Sequence, residues 1–201
     1  MKAVMMSSIL LLIISYQSLS QPISLHEAQT REVMNVSIHG NPESTHYFKP
    51  LILQLKNMSS ETIEVSVPAG LFMEADEEAY QNFVVTRDEI IALKAGEEEN
   101  REIFAMCIEK SDIAPYGSVE YLPAQMADSA LSGLVAMIEQ DSSHNYESQS
   151  AIWSLMGDTP LTSIAGFDTV LTRNLVEYVA EATGQEVPPP PEPWEYERNY
   201  Y

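Results

Sequence analysis

The chain has one cysteine, Cys107, in 201 residues. A single thiol makes no internal disulfide, so stability must come from packing. Cations are also scarce: 10 Lys and Arg stand against 30 Asp and Glu, for a net charge of −20. Such a field repels nucleic acid and anionic membrane surfaces, and it excludes proteins that work by gripping a phosphate backbone. Glycine-rich phosphate loops, a nucleophile elbow and a zinc-helix motif are all missing. The four histidines, His26, His39, His46 and His144, are scattered, and no two sit at a metal-ligand spacing. No catalytic set, metal site or cofactor is therefore expected. The acid clusters "MEADEE" and "GEEEN" lack the central glycine of a calcium loop and read as solvated faces. A hydrolase built on two converging carboxylates is the weakest of the readings the composition leaves open.

What is present begins with the first twenty residues. Lys2 is followed by an apolar run from Ser8 to Ile14, too short to span a bilayer, and by small residues at Ser18 and Ser20. That pattern is a cleavable secretory signal, residues 1–20, with cutting expected after Ser20. No later run is long or apolar enough to be a membrane helix, so no membrane insertion is expected once the signal is gone. The expected location is the periplasm, the cell surface or the exterior. "NVS" at Asn35 and "NMS" at Asn57 match the glycosylation pattern.

Residues 21–122 alternate with period two. Met34, Val36 and Ile38 share one side, as do Leu51, Leu53 and Leu55, and Ile63, Val65 and Val67. "QNFVVTRDEIIALKAG" reads as two short strands around Arg87 and Asp88, and "REIFAMCIEK" as another, with Cys107 on either face. Pro68 and Gly70 end one strand and send the chain to another sheet. Short strands at this spacing predict an antiparallel β-sandwich of immunoglobulin-like size. After Pro123 the period changes. Residues 123–186 hold three amphipathic helices: one with Leu131, Leu134, Val135 and Ile138 on its stripe, one with Ala151, Ile152, Leu155 and Met156, and one with Leu171, Leu175, Tyr178, Val179 and Ala182. Asp128 and Asp168 are N-caps, and Gly157 and Gly184 are stops. The expected class is α+β, an N-terminal sandwich followed by a small helical segment. Residues 187–201 form a proline-rich tail carrying Trp194, Tyr196, Tyr200 and Tyr201 among acids, either a solvated end or a docking segment for another protein.

An odd cysteine in an exported chain is buried and inert, paired with another chain, or reactive. A free cysteine often behaves as a small buried hydrophobe. The stretch "SQSAIW", Ser148 to Trp153, adds a second element. Cys107 followed by Ile108, together with Gln149 followed by Ala151, Ile152 and Trp153, resembles the thioester domains of bacterial surface adhesins. The resemblance implies a thioester between Cys107 and Gln149, formed with loss of ammonia and transferable to an amine or hydroxyl on a host surface. On the residues alone, the broader expectation is an exported, non-enzymatic module that works by contact with other proteins. Covalent adhesion through Cys107 and Gln149 is the alternative.

Overall fold

A computed structural model describes residues 21–44, 47–115 and 117–189. The expected signal, the candidate docking aromatics Trp194, Tyr196, Tyr200 and Tyr201, and His46 lie outside these residues. The fold is mixed α+β. In chain order the elements are β1 (Ile23–Ser24), α1 (Leu25–Thr30), β2 (Met34–Gly40), β3 (Leu51–Asn57), β4 (Ile63–Val67), β5 (Leu71–Ala75), β6 (Phe83–Val85), β7 (Glu89–Leu93), β8 (Glu98–Ile103), β9 (Ala105–Cys107), β10 (Tyr121–Met126), α2 (Ser129–Asp141), α3 (Tyr146–Met156), a short 3-10 turn (Leu161–Ser163) and α4 (Thr169–Thr183).

The strands make three small sheets, ordered β1-β4-β7, β2-β3-β8 and β10-β5-β6-β9. Pairing is antiparallel except at β1, which runs parallel to β4, where the sequence had suggested antiparallel pairing throughout. Val67 and Leu71 belong to different sheets, and the crossing between them is made at Gly70, whose φ of 86° suits a residue without Cβ. The four-stranded sheet is the central layer. One face, with Met73, Phe83, Val85, Ala105, Cys107 and Tyr121, packs against buried residues of the other two sheets, such as Leu53, Val65 and Leu93. Its other face, with Phe72, Val84, Met106 and Ile108, packs against Leu134, Ile138, Ile152, Leu175 and Val179 of the helices. The helices therefore share a core with the sheet instead of building one of their own. Strand β9 is buried on both faces as a result, the expected pattern for a sheet covered on both sides.

Several local expectations need correcting. The last strand, β10, runs to Met126, past the change of period expected at Pro123. α3 buries every residue from Glu147 to Ser154, not a narrow stripe, and Met156 is exposed. On α4 the buried face is Leu175, Val176, Val179 and Ala180, with Ala182 outside. β1, α1, β5 and β10 had no counterpart in the periodicity, and the single strand expected over residues 101–110 is divided between β8 and β9, which lie in different sheets. The expected caps are in place: Asp128 accepts from the Leu131 N–H at 2.9 Å, and Asp168 accepts from Val170 and Leu171.

Asn57 shows how one polar side chain ties the sheets. It is 1 % exposed, its Nδ2 donates to the carbonyls of Glu61 at 2.7 Å and Leu93 at 2.9 Å, and its Oδ1 accepts from the Ser59 N–H and hydroxyl. Both amide hydrogens are used, so this sequon is closed to modification in the folded state, whereas Asn35 is exposed. Asn57→Ala should cost about 3 kcal/mol, because truncation strands partners at a buried site. Urea denaturation will measure this, and a loss below about 1 kcal/mol would mean the network relaxes onto water.

His144, in the α2–α3 turn, packs at a tilt against Phe104 with 4.4 Å between centroids, and its Nε2 lies 3.0 Å from the Thr86 hydroxyl. Burial first, and then Arg87, hold its pKa below the ordinary 6.5. The unfolded chain thus takes up this proton before the folded one does. The contribution is present above about pH 6.5 and is lost as pH falls from there toward the lower folded value. His144→Gln should flatten the slope of unfolding free energy between pH 7 and 5, about the window in which the free side chain titrates. Identical slopes in the two proteins would remove His144 from the acid response.

Candidate functional site: a buried thiol between two carboxamides

The site follows from the register of β6 and β9. Phe83 lies opposite Cys107, Val84 opposite Met106 and Val85 opposite Ala105. Just outside these pairs, the Ile108 N–H donates to the Asn82 carbonyl and the Thr86 N–H to the Phe104 carbonyl. Antiparallel ladders alternate, so the N–H and C=O of Cys107 point away from β6, toward the free edge of the sheet. That edge is buried under α3, where water cannot serve it.

Gln149 serves it instead. Its Oε1 accepts from the Cys107 N–H at 3.0 Å, and its Nε2 donates to the Cys107 carbonyl at 2.8 Å. The carboxamide acts as one rung of an additional strand. Its orientation is fixed by chemistry, because the N–H can only donate and the C=O can only accept. Gln149 is fully buried, in the second turn of α3. Asn145 caps that helix, accepting from the Ser148 N–H at 3.0 Å, and so sets the angle at which Gln149 meets the strand. The structure thus brings together the two residues singled out by sequence, 42 positions apart.

The thiol points elsewhere. A side chain leaves a strand roughly perpendicular to the sheet, and that of Cys107 enters the core between sheets, with Phe83, Tyr121 and Trp153. There the sulfur donates to Oε1 of Gln81 at 2.8 Å. Gln81 is 2 % exposed, and its Nε2 donates to the Glu109 carbonyl at 3.0 Å. Because that carbonyl accepts only, Oε1 is the atom turned to the sulfur. The segment around Gln81 is held on both sides. The Gln81 N–H donates to the Ile113 carbonyl at 3.0 Å, and the Glu109 carboxylate accepts from the N–H and side-chain amide of Asn82 at 2.8 and 2.9 Å.

The surroundings are buried and largely apolar. Phe83 meets Tyr121 edge to face at 5.6 Å, and the Tyr121 hydroxyl and the Trp153 indole N–H are buried without a hydrogen-bond partner among the described residues. Burial pushes the Cys107 thiol well above its ordinary range, and the negative charge of Glu109 adds to this, against a smaller opposite effect of a backbone hydrogen bond. Burial raises the Tyr121 phenol as well, with Cys107 the next contributor. Chemically the site offers a neutral thiol pressed against one carboxamide, on a backbone clamped by a second. Gln81 gave no motif in the sequence reading. Its signal was its parity with Phe83, which places it on the Cys107 face once the pairing is known.

The remaining candidates assemble nothing comparable. Among the described residues, no group of three His, Cys, Asp or Glu is placed to hold a metal ion. The acids of the "GEEEN" cluster and the adjoining end of β8 pair with cations: Glu98 with Lys56, Glu99 with Arg101, and Glu102 with Lys49. A surface groove by Phe104 gathers Lys49, Arg87 and Arg101, but Asp88, Glu89 and Glu102 line the same groove and balance them. No described helix is long and apolar enough to cross a membrane. Comparisons with protein-family models, with curated proteins and with solved structures found no match.

Gln149→Ala should cost about 3 kcal/mol or more, since it strands a buried N–H and a buried C=O and leaves a void. Chemical denaturation will measure the loss. A change below about 1 kcal/mol would show that the edge of β9 is satisfied some other way.

Proposed function

We propose that this chain is an exported covalent-capture module, in which Cys107 carries an acyl group from a neighbouring glutamine as an internal thioester. The observation that carries the reading is the thiol 2.8 Å from a buried carboxamide oxygen, on a residue whose backbone a second buried carboxamide holds. Atoms balance without a co-reactant. The sulfur attacks the carboxamide carbon, the C–S bond forms, the C–N bond breaks, and the thiol hydrogen leaves with the nitrogen as ammonia. An amine on a partner then attacks the acyl carbon. The new C–N bond replaces C–S, and the thiol returns to Cys107. No electron is gained or lost in either step.

The raised thiol pKa bears on rate, not on outcome. Thiolate is the attacking form, so little of it is present at any moment. Each molecule needs the reaction once, and fixed proximity supplies effective molarities on the order of 10⁵–10⁸ M when the geometry is near attack. The product has no ionisable group, so the burial that opposes the thiolate does not oppose the thioester. The same burial keeps water from hydrolysing it. The module is spent after one transfer and is not a turnover catalyst. Its partner is another protein or an amine-bearing surface outside the cytoplasm. The net charge of −20 favours cationic, lysine-rich partners and disfavours nucleic acid. The aromatic tail is a candidate for bringing that partner close before the bond forms.

Intact mass of the purified chain tests this, with one control required. If the signal is cut after Ser20, the new N-terminal Gln21 can cyclise and also lose ammonia. Cys107→Ala keeps that loss and abolishes the thioester. The native chain should be lighter than its sequence by one ammonia more than Cys107→Ala is. Unfolding in methylamine should add one methylamine to the chain as a methylamide and release a titratable thiol. Equal deficits in the two proteins, with a thiol that titrates on unfolding without added amine, would leave only a non-covalent binding module.

A further inference from the structure

Two glutamines touch Cys107, and they are not equivalent. We infer that Gln81, not Gln149, supplies the acyl group, while Gln149 is the clamp that holds the strand. The inference rests on the thioester reading above and says which bond is made.

The first argument is contact. The sulfur lies 2.8 Å from Oε1 of Gln81. That is closer than a sulfur of ordinary radius prefers for a hydrogen bond. It approaches the spacing imposed when sulfur and oxygen are attached to one acyl carbon. The second argument is direction. The contacts of Gln149 lie in the plane of the sheet, on the main-chain N–H and C=O of Cys107. The Cys107 side chain leaves that plane into the core between sheets. Gln81 is two residues before Phe83, the cross-strand partner of Cys107, so it is a diagonal neighbour on the same face. Diagonal neighbours are about 7–8 Å apart, a gap that a cysteine and a glutamine together span.

The third argument concerns what ammonia leaves behind. Loss of Nε2 from Gln149 would remove the donor to the Cys107 carbonyl at a fully buried position. A buried carbonyl left without its donor is costly. Loss of Nε2 from Gln81 removes a donor from the Glu109 carbonyl, which belongs to a half-buried residue beside the exposed Lys110, where water can replace it.

The test is to find the labelled residue in the native sequence, which needs no variant to fold. The wild-type chain is unfolded in methylamine, digested, and its peptides sequenced by mass spectrometry. N-methylglutamine is expected at position 81. The isosteric variant Gln81→Glu, checked for folding by circular dichroism, should keep only the ammonia loss seen in Cys107→Ala and present a free thiol on unfolding. Methylamide at position 149, or an undiminished ammonia loss in Gln81→Glu, would overturn the assignment and leave the thioester reading standing. Methylamide at neither position, with a titratable thiol in the untreated chain, would overturn both.

Discussion

An edge strand buried on both faces has a row of backbone groups that neither sheet nor solvent can satisfy, and this constraint organises the molecule. β9 is such a strand, ending the order β10-β5-β6-β9 with helices on one side and the other sheets on the other. An unpaired N–H or C=O there would cost about as much as a lost buried hydrogen bond. The carboxamide of Gln149 answers both groups of Cys107 at once, with the donor and acceptor spacing of a peptide. For it to arrive, α3 must lie across the edge with its N-terminal half buried. That in turn explains why a helix with so many polar residues, Ser148, Gln149, Ser150 and Ser154, is the most buried of the four.

The same constraint places the thiol. Since the main chain of Cys107 is committed outward to Gln149, the residue forms a non-hydrogen-bonded pair with Phe83. In such pairs the strands approach most closely and side chains press together. The sulfur therefore enters a space already closed by Phe83, Tyr121 and Trp153, and the polar atom it meets is Gln81 Oε1. A small buried hydrophobe would have been served as well by alanine or valine. A buried carboxamide aimed at the sulfur, its segment fixed through Ile113 and Glu109, is more structure than inert packing requires.

How much of this was legible in the sequence depended on whether a signal was local. The alternation in β2, β3 and β4 marked strands because each has one wet face. The caps Asp128 and Asp168 marked helix starts because an N-cap is read within three residues. β5 was missed because "LFMEA" runs directly into "DEE", and its apolar half is too short to show a period. β10 was missed because Leu122 and Met126 are exposed and Pro123 reads as a breaker, although it sits in an outer strand, where proline is tolerated. α1 has six residues, too few for a stripe. Gln149 stood out only through the company of Ala151, Ile152 and Trp153. Gln81 carried no local mark, since its role follows from a pairing between strands more than twenty residues apart in sequence.

A buried thiol with a raised pKa would ordinarily argue against reactivity, because reactive cysteines sit in electropositive, partly exposed places. That rule describes thiols that must meet reagents from solution. In the thioester proposed for Cys107 both reacting groups would belong to one chain, and the fold would already have done the work of encounter. The relevant comparison is between the free thiol beside an amide and the thioester plus free ammonia. Three features would shift that balance toward product: ammonia escapes by dilution, the product sheds the need to desolvate a thiolate, and a buried site limits the access of water that would undo it. The lone cysteine also suits the proposed reaction. A second thiol nearby would offer exchange and disulfide formation as competing fates, and a chain with one has neither within itself.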